Sequence, residues 1–175
     1  MKKELLINKR VLFFFAFVLI LSLGFALNNN RENEEFVHTA SDEGDKGKSP
    51  WVLDIEEATV SNTNYRNAQW TGEYMQMVLM SLKPGEIIDL EVHKGHDQFI
   101  RIEQGDARIL MGKTENELSF DEKISDDWAA FIPAGYWHTV ENTGKTDLKL
   151  YTIYSPSEHP AGTVRKTYED ARNNH

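Results

Sequence analysis

Three kinds of metal-ligating side chain fall close together in residues 87–98 of the sequence. The period-two alternation of a β-strand would place Asp89, Glu91 and His93 on one face of the segment IIDLEVH. Such an acidic face is costly to bury without a counter-ion. Gln98 begins the next apolar run after a Lys-Gly turn. Pairing of Gln98 near His93 would therefore present a carboxylate, an imidazole and an amide oxygen from adjacent strands.

A fourth group comes from the later segment PAGYWHTVEN, in which a proline-glycine turn delivers His138 to the start of another predicted strand. The chain has no cysteine. Disulfide frameworks, thiolate zinc sites, iron–sulfur clusters and cysteine nucleophiles are therefore excluded. Any metal must be held by histidine, carboxylate or amide side chains.

Short strands must position these groups. From Trp51 onward the sequence has period-two patterning, turn residues every 8–12 positions and no long stretch of helical periodicity. This pattern predicts an all-β sandwich or small barrel, and the absence of an internal repeat favours a single barrel. An eighth strand is expected between Trp51 and Trp70, and residues 166–173 would form at most a short helix. The seven strands predicted with defined bounds are Tyr74–Leu82, Ile87–His93, Gln98–Glu103, Ala107–Met111, Trp128–Ile132, His138–Asn142 and Leu148–Tyr154.

Residues 85–105 resemble the first motif of the cupin superfamily. That motif is a glycine, five residues, His-x-His, three or four residues, a glutamate, six residues and a glycine. His93 matches its second histidine, whereas Glu91 stands in place of the first histidine and Gln98 in place of the glutamate. These two substitutions leave the spacing of the motif unchanged and alter only the chemical type of the ligands.

Residues 133–142 are similar to the second cupin motif, although Asp127 stands where that motif has a glycine. The resemblance extends over residues 51–172 and is greatest to the small single-domain cupins called mannose-6-phosphate-isomerase-like. It implies one double-stranded β-helix, the jelly-roll barrel of cupins. The matched positions of the second motif are Pro133, Gly135, His138 and Asn142.

The resemblance implies four metal ligands, which are Glu91, His93, Gln98 and His138. Two imidazoles and one carboxylate form a set that iron, manganese, nickel or zinc accepts, and the neutral amide is a weak fourth ligand. A nearby carboxylate, Glu91 or Asp89, is also predicted to be available for proton transfer in catalysis, and Glu91 is taken as the catalytic residue. His96 is interpreted as a turn histidine, with the alternative that it replaces one of the four ligands.

The net charge of −9 divides unevenly, because residues 1–30 carry +3 and the remainder carries −12. The acidic remainder argues against a nucleic-acid partner.

Residues 11–27 contain no charged side chain, and residues 1–27 are predicted to be either a cleaved signal peptide or a single hydrophobic membrane-anchoring helix. Basic residues precede this run, which predicts an extracytoplasmic location for the rest. Residues 28–50 are predicted to be a disordered polar linker.

Two functional classes stay open. The first is a metalloenzyme that acts on a small polar molecule such as a carbohydrate, with isomerase-like chemistry. The second is a non-catalytic module, tethered to the membrane if residues 1–27 are retained, that binds a sugar or another small molecule. A structural domain that keeps only a remnant of the site is a weaker third reading. A homodimer formed through sheet edges is a further expectation.

Overall fold

A computed structural model describes residues 44–173 as two facing antiparallel sheets with two short helices. The elements in chain order are α1 (Ile55–Ser61), β1 (Arg66–Thr71), β2 (Gln76–Leu82), β3 (Ile87–Val92), β4 (Asp97–Gln104), β5 (Asp106–Gly112), β6 (Phe120–Ser125), β7 (Ala129–Ile132), β8 (Trp137–Asn142), β9 (Leu148–Ser155), β10 (Val164–Arg165) and α2 (Tyr168–Arg172).

The larger sheet has the strand order β10-β1-β2-β9-β4-β7, and the smaller sheet has the order β3-β8-β5-β6. From β2 to β5 and again from β6 to β9, consecutive strands alternate between the two sheets, as in a jelly roll. The all-β prediction is confirmed, and the eighth strand expected before Trp70 is β1. The hydrophobic helix predicted at residues 11–27 lies outside the described residues.

The core lies between the two sheets and follows the predicted alternation. In β4, Ile100 and Ile102 are fully buried, and in β8 Val140 meets them from the opposite sheet. Because alternate residues of each strand point inward, the inner positions that are not apolar mark the site. These positions include Gln98 at the start of β4 and His138 near the start of β8.

Helix α1 covers the outer face of the larger sheet, and the sequence did not predict it because its seven residues are too few for a periodic signal. The Asp54 side chain caps it by accepting a hydrogen bond from the Glu57 backbone N–H at 3.1 Å. Ala58 packs there with Met77 and Leu79 of β2. Strand β2 is consequently buried on both faces.

Strand β2 begins two residues later than predicted, at Gln76. Tyr74 and Met75, which the sequence pattern placed within this strand, precede it and are 73% and 42% exposed. Strand β6 was not predicted at all, because half of its sequence FDEKIS is charged and four of its six residues are exposed at the sheet edge. Cross-strand pairing with β5 forms it, including a two-pronged ion pair from Arg108 to Asp121.

The predicted face of β3 is wrong at one position. A bulge shifts the register between Ile88, which pairs with Val140, and Glu91, which pairs with His138. One extra residue on β3 reverses the alternation there, so Ile88 and Glu91 share the inner side. Asp89 instead accepts a hydrogen bond from the Tyr168 hydroxyl at 2.8 Å.

Residues 44–50, which the sequence assigns to the polar linker, contact the sheet. The Asp45 carboxylate accepts hydrogen bonds from the backbone N–H of Thr71 and of Gly162 and from the Thr71 hydroxyl. The Lys46 N–H donates to the Gln69 carbonyl at 2.8 Å. No helix within residues 44–173 is both long and apolar enough to cross a bilayer.

Candidate metal centre

Three of the predicted ligands converge at one end of the space between the sheets. The Glu91 Oε1 atom lies 3.2 Å from His93 Nε2 and 3.4 Å from His138 Nε2. All three atoms lie within 4.8 Å of one another, which is close enough for one ion to contact them together. The structure therefore brings together one carboxylate and two imidazoles from β3, the turn that follows it and β8.

The two cupin-like segments are joined at this point by backbone contacts. The Gly135 N–H donates to the His93 carbonyl at 2.8 Å, and the Ala134 N–H donates to Asp97 Oδ1 at 2.8 Å. Gly135 has a φ of +81°, which an L side chain rarely adopts. The Pro-Ala-Gly turn thus holds His93 and His138 at a fixed separation.

The His138 ring is oriented by its own strand. Its Nδ1 atom lies 3.0 Å from the Tyr136 carbonyl, which can only accept, so Nδ1 carries the proton. The Nε2 atom lies 3.4 Å from Glu91 Oε1 and is buried without a hydrogen-bond partner. A buried polar atom without a partner needs an explanation, and coordination of a metal ion at Nε2 would supply one.

Gln98 shows the same feature. Its Nε2 group donates to the Thr152 hydroxyl at 3.0 Å, which fixes the amide, while its Oε1 atom is buried without a partner. The side chain lies on the inner face of β4, and Gln98 pairs with Tyr154, whose ring centroid is 5.5 Å from that of His93. The donor set fits a divalent ion, with Glu91, His93 and His138 as the strong ligands and Gln98 as the weak one.

The ionisation of this cluster is set by mutual contacts. Burial by itself raises the pKa of the Glu91 carboxyl, but the facing imidazoles of His138 and His93 outweigh it and hold that pKa well below its usual range. Burial lowers the pKa of His93, but Glu91 reverses this and raises it above the ordinary value. Glu91 is therefore ionised at neutral pH, as a ligand must be.

These shifts predict opposite pH dependences for stability and metal binding. The raised pKa of His93 stabilises the metal-free fold below the ordinary histidine pKa of about 6.5, and this stabilisation is lost as pH rises through the raised value. Metal binding needs neutral His93, so zinc affinity should increase over the same range. Thermal unfolding in the presence of a chelator measures the metal-free stability, and calorimetry measures the zinc affinity, each from about pH 6 to 8. Metal-free stability that rises across this range contradicts the interpretation.

Glu158 is a member of the site that the sequence did not predict. Its Oε2 atom lies 3.5 Å from His93 Nδ1 and 3.1 Å from His96 Nε2. His93 therefore has a carboxylate at each ring nitrogen, the arrangement in which one nitrogen binds metal and the other is oriented by a carboxylate. His96 stacks on His93 with ring centroids 4.5 Å apart, so it is an outer neighbour of the three-residue cluster.

The loop that carries Glu158 is fixed by contacts far away in the sequence. The Gln76 amide donates to the His159 carbonyl at 2.8 Å and accepts from the His159 N–H at 3.0 Å. Only the folded chain shows that the segment SEHPAG returns to His93. Asp89, by contrast, faces Tyr168 and Arg172 and does not join the cluster.

The two-sheet jelly roll and this donor set define a cupin, and residues 78–154 match the cupin domain family. The chain belongs to the cupin superfamily. It is 51% identical to YrkC of Bacillus subtilis (strain 168) over 127 residues, which are 73% of this chain and 68% of that protein. It is 44% identical over 115 residues to L612 of Acanthamoeba polyphaga mimivirus, which are 65% of this chain and 70% of that protein.

A solved structure has the same fold. The crystal structure of BH2720 from Bacillus halodurans is 47% identical and superimposes with a TM-score of 0.74. The match covers 74% of this chain and 98% of that chain.

Proposed function

We propose that this protein is an extracytoplasmic cupin that binds a divalent metal ion and acts as a metalloenzyme on a small polar molecule. One observation carries the proposal, namely the convergence of Glu91 Oε1, His93 Nε2 and His138 Nε2 within 4.8 Å. The buried and unpartnered acceptors of His138 and Gln98 support it. Manganese, iron, nickel and zinc all suit this set of ligands.

A divalent ion held by these residues would act as a Lewis acid that polarises a carbonyl or hydroxyl oxygen of the substrate. The protein supplies the other requirements of isomerase-like chemistry. Glu91 is ionised because its pKa is held low, so it is available as a proton acceptor and not as a donor, although the low pKa makes it a weak base. The Tyr136 carbonyl keeps the proton of His138 on Nδ1, away from the reacting groups.

The accessible side of the site favours an uncharged or weakly charged polar ligand. Glu91 and Glu158 are 22% and 33% exposed, whereas His93 and His138 are buried beneath them. Carboxylates at an entrance bind hydroxyl groups by accepting hydrogen bonds, and they repel phosphates. This arrangement supports a carbohydrate or a related hydroxylated molecule over a sugar phosphate.

The proposed location rests on the sequence of residues 1–27. A charge-free run that follows basic residues is typical of an exported or anchored chain with its start inside. Substrates outside the cytoplasm rarely carry phosphate esters, which agrees with the acidic entrance. A cleaved signal peptide and a retained anchor both give this location.

The alternative is a non-catalytic binding module, tethered to the membrane if residues 1–27 are retained. The observation that favours it is that Glu91 faces both imidazoles and would be fully occupied as a ligand.

Homodimerisation is a separate proposal. It is supported by exposed aromatic residues on the adjacent edge strands, where Phe120 and Phe131 border a cleft of about 490 Å³.

Catalysis is tested by replacing Glu91 with glutamine in the full chain, purified in detergent and loaded with metal. Metal content is measured on both chains, because glutamine is also a weaker metal ligand than glutamate. At equal metal content we expect substrate turnover, followed by NMR in a pool of neutral sugars and organic acids, to fall roughly 10²–10⁴-fold, because the amide cannot accept the proton. The control is Glu115→Gln, which removes the same charge from an exposed turn. Saturable binding without any conversion by the unmodified chain would favour the binding module.

A further inference from the structure

Asp45 lies near the end of residues 28–50, which the sequence assigns to the polar linker, and its carboxylate has four donors. Its Oδ1 atom accepts from the backbone N–H groups of Gly47 at 2.7 Å and of Thr71 at 2.8 Å. Its Oδ2 atom accepts from the Thr71 hydroxyl and from the Gly162 N–H at 3.0 Å. Burial alone raises the pKa of this carboxyl, but these hydrogen bonds outweigh it and lower the pKa. Asp45 is therefore ionised at neutral pH and can only accept.

The Thr71 hydroxyl extends this contact to Gln76. Because Asp45 can only accept, the hydroxyl donates to it and uses its own oxygen to accept from Gln76 Nε2 at 2.9 Å. The same Nε2 group donates its second hydrogen to the His159 carbonyl at 2.8 Å, and Gln76 Oε1 accepts from the His159 N–H at 3.0 Å. Both hydrogens and the oxygen of this amide consequently have fixed directions.

The loop between β9 and β10 carries Glu158 and is held at two points that follow this residue. One point is His159, which Gln76 holds, and the other is Gly162. Glu158 extends from the loop to His93, where its Oε2 atom lies 3.5 Å from Nδ1. The contact between Glu158 and His93 therefore depends on where these two points are held.

Gln76 lies at the end of the barrel that contains the candidate metal centre. Gln76 and Gln98 pair with Tyr154 from opposite sides, so the three side chains form one row across the inner face of the larger sheet. The Tyr154 ring centroid is 5.5 Å from that of His93 and 5.4 Å from that of His159. The hydrogen-bond network that begins at Asp45 thus ends among the side chains that surround the metal ligands.

We propose that Asp45 is a positioning residue of the metal centre, and that it holds the β9–β10 loop so that Glu158 keeps His93 oriented toward the ion. A carboxylate at the outer nitrogen of a metal-binding histidine fixes the orientation of the ring, and its loss typically costs roughly 10–100-fold in metal affinity. Asp45 acts through that carboxylate. This inference rests on the proposed function and makes the metal affinity depend on the segment that joins the linker to the barrel.

The first test is Asp45→Asn, which keeps the size of the side chain but leaves the two lone pairs of one oxygen for four donors. We expect its zinc affinity, measured by calorimetry on the full chain in detergent, to fall about tenfold, and that of Glu158→Ala to fall roughly 10–100-fold. The matched control is Asp54→Asn. It removes the same charge from the cap of α1, where asparagine is an equally good cap, and should leave the zinc affinity unchanged.

A double-mutant cycle separates positioning from a general loss of stability. Because Asp45 acts through Glu158, Asp45→Asn should have little further effect on zinc affinity in a chain that already carries Glu158→Ala. The visible absorption of the cobalt-loaded chain depends on ligand geometry, so its bands should shift in Asp45→Asn and in Glu158→Ala but not in Asp54→Asn. Three results would overturn the inference, namely equal zinc affinity in Asp45→Asn and the unmodified chain, losses that multiply in the double variant, or unshifted cobalt bands in Asp45→Asn.

Amide hydrogen exchange in zinc-free protein tests the loop by itself. We expect the His159 and Gly162 amides to exchange at least about tenfold faster in Asp45→Asn, while the amides of β8 keep their protection. Thr71→Val, which removes the intervening hydroxyl and leaves Asp45 in place, is the second variant and should also lower zinc affinity. Unchanged zinc affinity in Thr71→Val, when Asp45→Asn does not fold, contradicts the inference. An unmodified chain that takes up no zinc refutes the proposed function, whereas unchanged loop exchange in Asp45→Asn refutes the role of Asp45 alone.

Discussion

Replacing His138 with alanine is expected to abolish stoichiometric binding of divalent metal by this protein. His138 is fully buried, and its Nε2 atom has no hydrogen-bond partner to occupy it. The variant leaves Glu91 and His93 as the two strong ligands. Loss of an outer hydrogen-bond partner of a metal ligand already costs roughly 10–100-fold in affinity, so loss of the ligand itself should cost about 1,000-fold or more. Zinc and manganese calorimetry on the full chain measure the change.

The matched control for this experiment is Val140→Ala. Val140 is the next inward residue of β8 and is also fully buried, so its truncation removes core volume without touching a ligand atom. We expect Val140→Ala to lose stability and to keep its metal. Equal metal affinity in His138→Ala and in the unmodified chain, with both folded by circular dichroism, would refute the metal centre.

Much of the site could be predicted because its signals are local. Glu91, His93, Gln98 and His138 stand at fixed spacings from turns rich in glycine and proline, and period-two alternation gives most strands their inner face. The same alternation failed for Asp89. The β3 bulge arises from pairing with β8, and no residue type within IIDLEVH marks the position of the extra residue.

The rest depended on contacts between residues distant in sequence. Glu158 reaches His93 because Gln76 holds the loop from 83 positions away along the chain. Helix α1 packs against the outer face of β2. This tertiary packing stabilises the helix although its sequence has only weak helical periodicity.

Asn142 illustrates a motif residue whose role is structural. It is 1% exposed, and its Nδ2 group donates to the carbonyls of Leu82 and Thr146, each at 2.9 Å. Its Oδ1 atom accepts from the Gly144 N–H at 2.9 Å. One amide therefore joins the end of β2, the end of β8 and the turn that leads to β9. Both amide hydrogens and one lone pair of the oxygen are therefore engaged within the fold.

Asn142→Asp is expected to have the largest effect on stability. The aspartate keeps the shape but has no donor, so the Leu82 and Thr146 carbonyls lose their hydrogens and face a carboxylate. Each orphaned buried acceptor costs about 1–3 kcal/mol, and the buried charge adds to this, so the free energy of unfolding should fall by about 4 kcal/mol or more. Urea unfolding measures the difference, with Asn116→Asp in an exposed turn as the control, expected within about 0.5 kcal/mol of the unmodified chain. Because small domains have only about 5–15 kcal/mol of stability, Asn142→Asp should leave the barrel close to unfolding, and a variant as stable as the control would show that this amide is not what joins the two sheets.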